Sequence, residues 1–232
     1  MRDEATGTKT LEVSSTLTRR SLLQGAGWMI AATALSPANA SAAFAADTIL
    51  ESKPTVSPVM NELSSYMAAA SNRALPDEVL ERARLHILDT LSAMVSGSQL
   101  PPGKLAIQFA RAYGGEKVAT VAASSIACGP IEAAMVNGML AHSDETDDVH
   151  AQGRMHPGGA TVSAGLATGE KFGIDGMHFL RAVALGYDVG PRVSVTLGRG
   201  AVLAHHMTAH CVANNFGATA AAPARPASIL SR

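Results

Sequence analysis

The stretch from Gly159 to Phe172 places small residues at Ala160, Ser163, Ala164, Gly165, Ala167 and Gly169. Side chains this small let neighbouring helices approach closely, whereas a β-sandwich needs β-branched and aromatic residues to fill its core. Tight helix packing therefore explains the run fully. The rest of the chain agrees. Val59, Met60, Leu63, Tyr66 and Met67 recur at helical spacing within Ser57–Ser71. Pro76-Asp77-Glu78 reads as a helix start, with proline near the first turn and acids at the positive end. Val79, Ala83, Leu85, Ile87, Leu88, Leu91 and Met94 continue that apolar face to Gly97. After a break at Pro101-Pro102-Gly103, further helices are expected over Lys104–Tyr113, Ile131–Ala141, Gly159–Phe172, Gly176–Val189 and about Val212–Ala222. Val118–Ala123 is β-prone and fits a strand or an extended loop. Only 4% of residues are aromatic and 47% are hydrophobic, so the expected fold class is all-α, or nearly so.

Composition also excludes some functions. A formal charge of -1 and a pI near 6.7 leave no basic field to collect phosphates, so nucleic acid is not an expected partner. No GxxxxGK[ST] loop is present, and Gly186-Tyr187-Asp188-Val189-Gly190 follows no predicted strand, so nucleotide-binding fingerprints are absent. Cys128 and Cys211 match neither a CxxC pair nor zinc spacing, and are expected as small buried hydrophobes.

The N-terminus reads as an address. Arg19-Arg20 precedes Ser21-Leu22-Leu23, a Gly- and Ala-rich apolar run to Leu35, and small-residue sites at Ala38-Asn39-Ala40 and Ala43-Phe44-Ala45. That order predicts a twin-arginine export signal over residues 1–46, cleaved after Ala40 or Ala45, and a periplasmic protein. The apolar run is too short to leave a comfortable membrane anchor.

The chemistry-bearing stretch is His142-Ser143-Asp144-Glu145-Thr146-Asp147-Asp148-Val149-His150, followed by Met155-His156-Pro157-Gly158. Four acids and three histidines fall within 15 positions between apolar helices. Carboxylates beside imidazoles fix the imidazole tautomer, an arrangement general acid/base catalysis uses. Asp and His also bind divalent cations, although neither H-E-x-x-H nor an EF-hand pattern occurs. A solvated surface loop is the third reading, and spacing alone leaves all three open. Proline holds His156 extended and can start the next helix, which puts His156 at a helix N-terminus, where backbone N–H groups bind anions. A second histidine group, His205-His206-Met207-Thr208-Ala209-His210, reads equally as a helix end or a site.

At these residues the chain resembles the MmgE/PrpD family, whose members include 2-methylcitrate dehydratase and cis-aconitate decarboxylase. The resemblance runs from about Pro76 to Ala222. It is carried by Leu85-His86-Ile87-Leu88-Asp89-Thr90-Leu91, Asn137-Gly138-Met139-Leu140-Ala141-His142, Asp147-Asp148-Val149-His150, His156-Pro157-Gly158 and Ala184-Leu185-Gly186-Tyr187-Asp188-Val189. Against the family's A-H-A-L-D-F-D-D-T-H pattern, Glu145 replaces an Asp and Val149 a Thr. His206 and Thr208 resemble the family's H-x-T segment.

The resemblance implies a cofactor- and metal-free lyase of small polycarboxylates. His156, Glu145, Asp147, His150 and His206 would be catalytic, and Asp148, Thr208 and His142 would bind substrate. It also implies a homodimer, and a second domain with a lysine beyond the residues present. The tail 223–232 matches nothing of the family, so a truncated or shifted reading frame near residue 222 is expected. Two alternatives from other classes stand beside the lyase: a non-catalytic helical remnant, and a metal-dependent hydrolase built on the Asp/His cluster.

Overall fold

The computed structural model describes residues 56–70 and 72–222. The expected export signal and the irregular tail lie outside them. Seven helices occur among the described residues: α1 (Pro58–Ala70), α2 (Asp77–Gly97), α3 (Pro101–Tyr113), α4 (Pro130–His142), α5 (Pro157–Phe172), α6 (Gly176–Ala204) and α7 (Ala209–Ala221). A two-residue antiparallel ladder joins β1 (Ala119–Thr120) to β2 (Ala127–Cys128) between α3 and α4. The expected all-α class therefore holds. No helix of the described residues is long and apolar enough to cross a membrane.

Three boundaries differ from the sequence reading. Pro101 and Pro102 are not a break but the opening turn of α3, where a missing N–H costs nothing and the fixed φ suits the helix. The β-prone run supplies only β1; Val121 and Ala122 turn into a loop. Helix α6 continues fifteen residues beyond Val189, through Pro191, and is interrupted at Gly198 (φ 71°, ψ 156°).

The core is built from Met94 of α2, Ala106 and Ala110 of α3, Val121, Cys128, Val136 and Leu140 of α4, Val162 and Ala167 of α5, and Val183 of α6. Cys128 is buried as expected, whereas Cys211 is exposed in the first turn of α7. The small residues of α5 let it lie against α4, α6 and α7 at once: Thr161, Val162, Ser163, Gly165, Ala167 and Gly169 are all buried. Helices α6 and α7 cross in backbone contact at Gly186 and Gly217. A Cβ on Gly186 would stand 2.8 Å from the Gly217 carbonyl oxygen and 2.4 Å from Thr161 Cγ2. Buried Asn137 on α4 ties down the hairpin, its Nδ2 donating to Thr120 O and its Oδ1 accepting from Ala122 N, each at 2.9 Å.

Candidate active site

The C-terminus of α4 and the N-terminus of α5 meet under the acid-rich loop, and the loop's two adjacent aspartates turn to opposite sides. Asp147 faces the histidines. Its side chain is 1% exposed. Its Oδ1 lies 3.3 Å from His142 Nδ1 and 3.2 Å from His156 Nδ1. His142 is the last residue of α4, where a basic group meets the negative helix end. His156 is the N-cap of α5 (φ -106°, ψ 93°), extended as the following proline requires. Its Nδ1, though close to Asp147, is not aligned for a hydrogen bond and has no other partner among the described residues. His210, in the first turn of α7, brings a third imidazole: its ring centroid is 5.1 Å from that of His156 and 6.5 Å from that of His142. Burial, reinforced by the neighbouring rings of His156 and His142, pushes the His210 imidazole below its ordinary value. The cluster opens to solvent through His142, whose side chain is 46% exposed.

Asp148 faces α2 and α6. Its Oδ2 accepts from the Tyr187 hydroxyl at 2.7 Å and pairs with His86 Nδ1 at 2.9 Å, while Oδ1 accepts from Gly158 N at 2.9 Å. Burial alone would raise this carboxyl. The hydrogen bonds from His86, Tyr187 and Gly158 outweigh it and hold Asp148 below the ordinary carboxylate value. Burial and the Asp148 charge together push the Tyr187 phenol well up.

The other expected site residues are more scattered. Glu145 is exposed, in left-handed backbone (φ 58°), with Oε1 3.4 Å from His142 Nε2. Asp144 is bound instead by the Ser96 and Thr146 hydroxyls, in that order of effect, which lower its carboxyl. His150 serves its own turn: its backbone pairs with Met155 and its Nδ1 accepts from Gly153 N at 2.9 Å. His206 is exposed with φ 54° at the end of α6, and Thr208 caps α7 by accepting from Cys211 N at 3.3 Å. Thus His142, Asp147, His156 and, at the edge, Glu145 come together, while His150, His206 and Thr208 make other contacts. Sequence reasoning missed His86, Tyr187 and His210. The first two sat inside segments that carry the family resemblance, and His210 sat four residues from the favoured His206.

Chemically, two imidazoles on one buried carboxylate, with a third ring beside them, form a unit that can hold and pass a proton. One ligand atom each from His142, Asp147 and His156 also lie within 4.8 Å of one another, close enough to hold a divalent ion.

Comparison with known proteins agrees with the resemblance. The chain is similar to the cis-aconitate decarboxylase-like protein oryM of Aspergillus oryzae, 29% identical over 153 residues, covering 63% of this chain and 32% of that protein. It is 26% identical over 142 residues to a cis-aconitate decarboxylase of Aspergillus terreus, covering 59% of this chain and 29% of the relative. It is 31% identical over 125 residues to the human cis-aconitate decarboxylase, covering 51% and 26%. The chain thus spans about a third or less of the length of these relatives. The MmgE/PrpD N-terminal domain model matches residues 61–224, more than half of the sequence, and the chain belongs to the MmgE/PrpD family.

Proposed function

We propose that this chain supplies the proton-transfer wall of a lyase that dehydrates or decarboxylates a small polycarboxylate. The observation that carries the reading is the convergence of His142 and His156 on the buried carboxylate of Asp147, with the His210 ring beside that of His156. Family membership supports the reaction class, and the relatives' names support cis-aconitate as the first substrate to try. His156 is the proton-transfer residue, the Asp147 carboxylate lies beside its ring, and His142 with Glu145 forms the solvent-side edge.

In a dehydration, His156 takes the proton from carbon beside a carboxylate. The C–H electron pair becomes the new double bond, and the β-hydroxide leaves with a proton from a neighbouring imidazolium as water. In a decarboxylation, the pair of the breaking C–CO₂ bond moves into a new double bond, the existing double bond takes a proton at its far carbon, and CO₂ departs. Either route needs an imidazole that can both give and accept a proton near neutral pH.

The test is turnover of cis-aconitate, citrate and 2-methylcitrate, followed by CO₂ release and double-bond absorbance. Activity is expected with at least one substrate, and His156→Ala is expected to lower it by at least ~100-fold. Equal rates for wild type and His156→Ala would refute the assignment. A metal-dependent hydrolase is the second reading, favoured by the three ligand atoms within 4.8 Å. One stoichiometric divalent ion in the purified protein, with activity lost on chelation, would replace the first reading with the second.

A further inference from the structure

We propose that Asp148, together with His86 and Tyr187, is a positioning unit that fixes His156 for proton transfer by capping α5 from outside the helix. The inference rests on the reading of His156 given above and assigns the side chains that hold it. The first N–H groups of any helix lack intrahelical partners and are usually met by an N-cap side chain. The N-cap of α5 is His156 itself, whose ring makes no capping bond, and Pro157 has no N–H to satisfy. Asp148 Oδ1 takes over that duty, accepting from Gly158 N at 2.9 Å with a full negative charge beside the positive helix end.

The carboxylate is in turn immobilised from two other elements. Tyr187 of α6 donates to Oδ2 at 2.7 Å, and His86 of α2 approaches the same oxygen at 2.9 Å, its ring 4.5 Å from that of Tyr187. The assembly is close enough to require glycine at 158, where a Cβ would stand 2.4 Å from Thr90 Oγ1, 2.7 Å from Asp148 Oδ1 and 2.9 Å from Tyr187 OH. Both oxygens of Asp148 are therefore engaged by the protein, which makes it a support rather than a substrate contact. One aspartate of the pair faces the His156 ring and its neighbour pins the backbone two residues further on. Releasing the pin lets the ring rotate relative to Asp147, to which it is near but not aligned.

The experiment compares wild type with Tyr187→Phe and Asp148→Asn, each checked for folding by thermal melting. The readouts are the His156 side-chain ¹⁵N resonances, identified by their loss in His156→Gln, and kcat and KM on the best substrate of the panel. The ring resonances of His156 are expected to shift in both variants, and kcat to fall by on the order of 10- to 100-fold while KM holds. Folded variants with unmoved His156 resonances and unchanged kcat would overturn the proposal, as would a rise in KM alone, which would return Asp148 to substrate binding. Tyr187→Phe keeps the ring in place and decides the matter if Asp148→Asn does not fold. The resonances need no turnover. A shift in a chain inactive on every substrate would sustain the positioning unit and discard the lyase reading.

Discussion

Asn137 is fully buried, and both of its amide groups serve backbone atoms of the hairpin. Asn137→Ala leaves Thr120 O and Ala122 N unpaired in the interior. It is expected to cost about 2–4 kcal/mol, read from denaturant unfolding, with Asn137→Asp no full rescue because it lacks the donor. At the same scale, His210 couples the cluster to pH. Its folded value is pushed below the ordinary 6.5, so the unfolded chain binds the proton first as pH falls. The group's contribution to stability is complete above 6.5 and is lost as pH drops through the folded value. The expected outcome is a Tm that falls less steeply below pH 6.5 in His210→Gln than in wild type. Identical Tm profiles would mean that the ring is not desolvated as described.

At the scale of elements, the close crossing of α6 and α7 places His210 beside His156, because His210 sits in the first turn of α7. Gly186→Ala is expected to push the two helices apart and to destabilise the protein by about 1–3 kcal/mol, measured by urea unfolding. The variant should also shift the His210 resonances, since the added methyl meets Thr161 and the Gly217 carbonyl. The helices themselves were legible in the sequence. Asp77 and Glu78 after Pro76, and the apolar residues Val79, Ala83, Leu85, Ile87, Leu88, Leu91 and Met94, place α2 directly, although Val79, Leu85 and Leu88 of that set are exposed and Thr90 and Ala93 are buried instead. The extension of α6 past Pro191 was not legible, because local propensity argues against a proline inside a helix and only tertiary packing of Val189, Gly190 and Ser194 overrides it.

For the whole molecule, two expectations from sequence carry forward as proposals. Export by the twin-arginine route predicts that Arg19→Lys with Arg20→Lys keeps the protein in the cytoplasm, measured by fractionation of the bacterial cell. Secretion unchanged by the double substitution would refute that address. A homodimer is the proposed assembly; Leu85, Leu88, Ile131, Met135 and Met139 leave apolar surface on the outside of α2 and α4 that a second copy could cover. Sedimentation of the purified chain measures it, and a monomer at micromolar concentration would discard it. The family itself sits at this scale too, since the matched domain spans residues 61–224 while the curated relatives extend well beyond it.

The sequence by itself determined the helical class, most helix boundaries, the family and the concentration of acids and histidines between α4 and α5, because those follow from local periodicity, proline placement and short motifs. Only the tertiary structure decided which of those groups meet. Asp147 and Asp148 are neighbours in the chain and part company in space, one turning to His142 and His156, the other to His86 and Tyr187. His210 enters the cluster, while His206, expected there from its resemblance to the family's H-x-T segment, does not. The reason is geometric: a side chain's partners are set by the crossing of helices distant in sequence, and the α6–α7 crossing depends on glycine contacts that no local pattern announces.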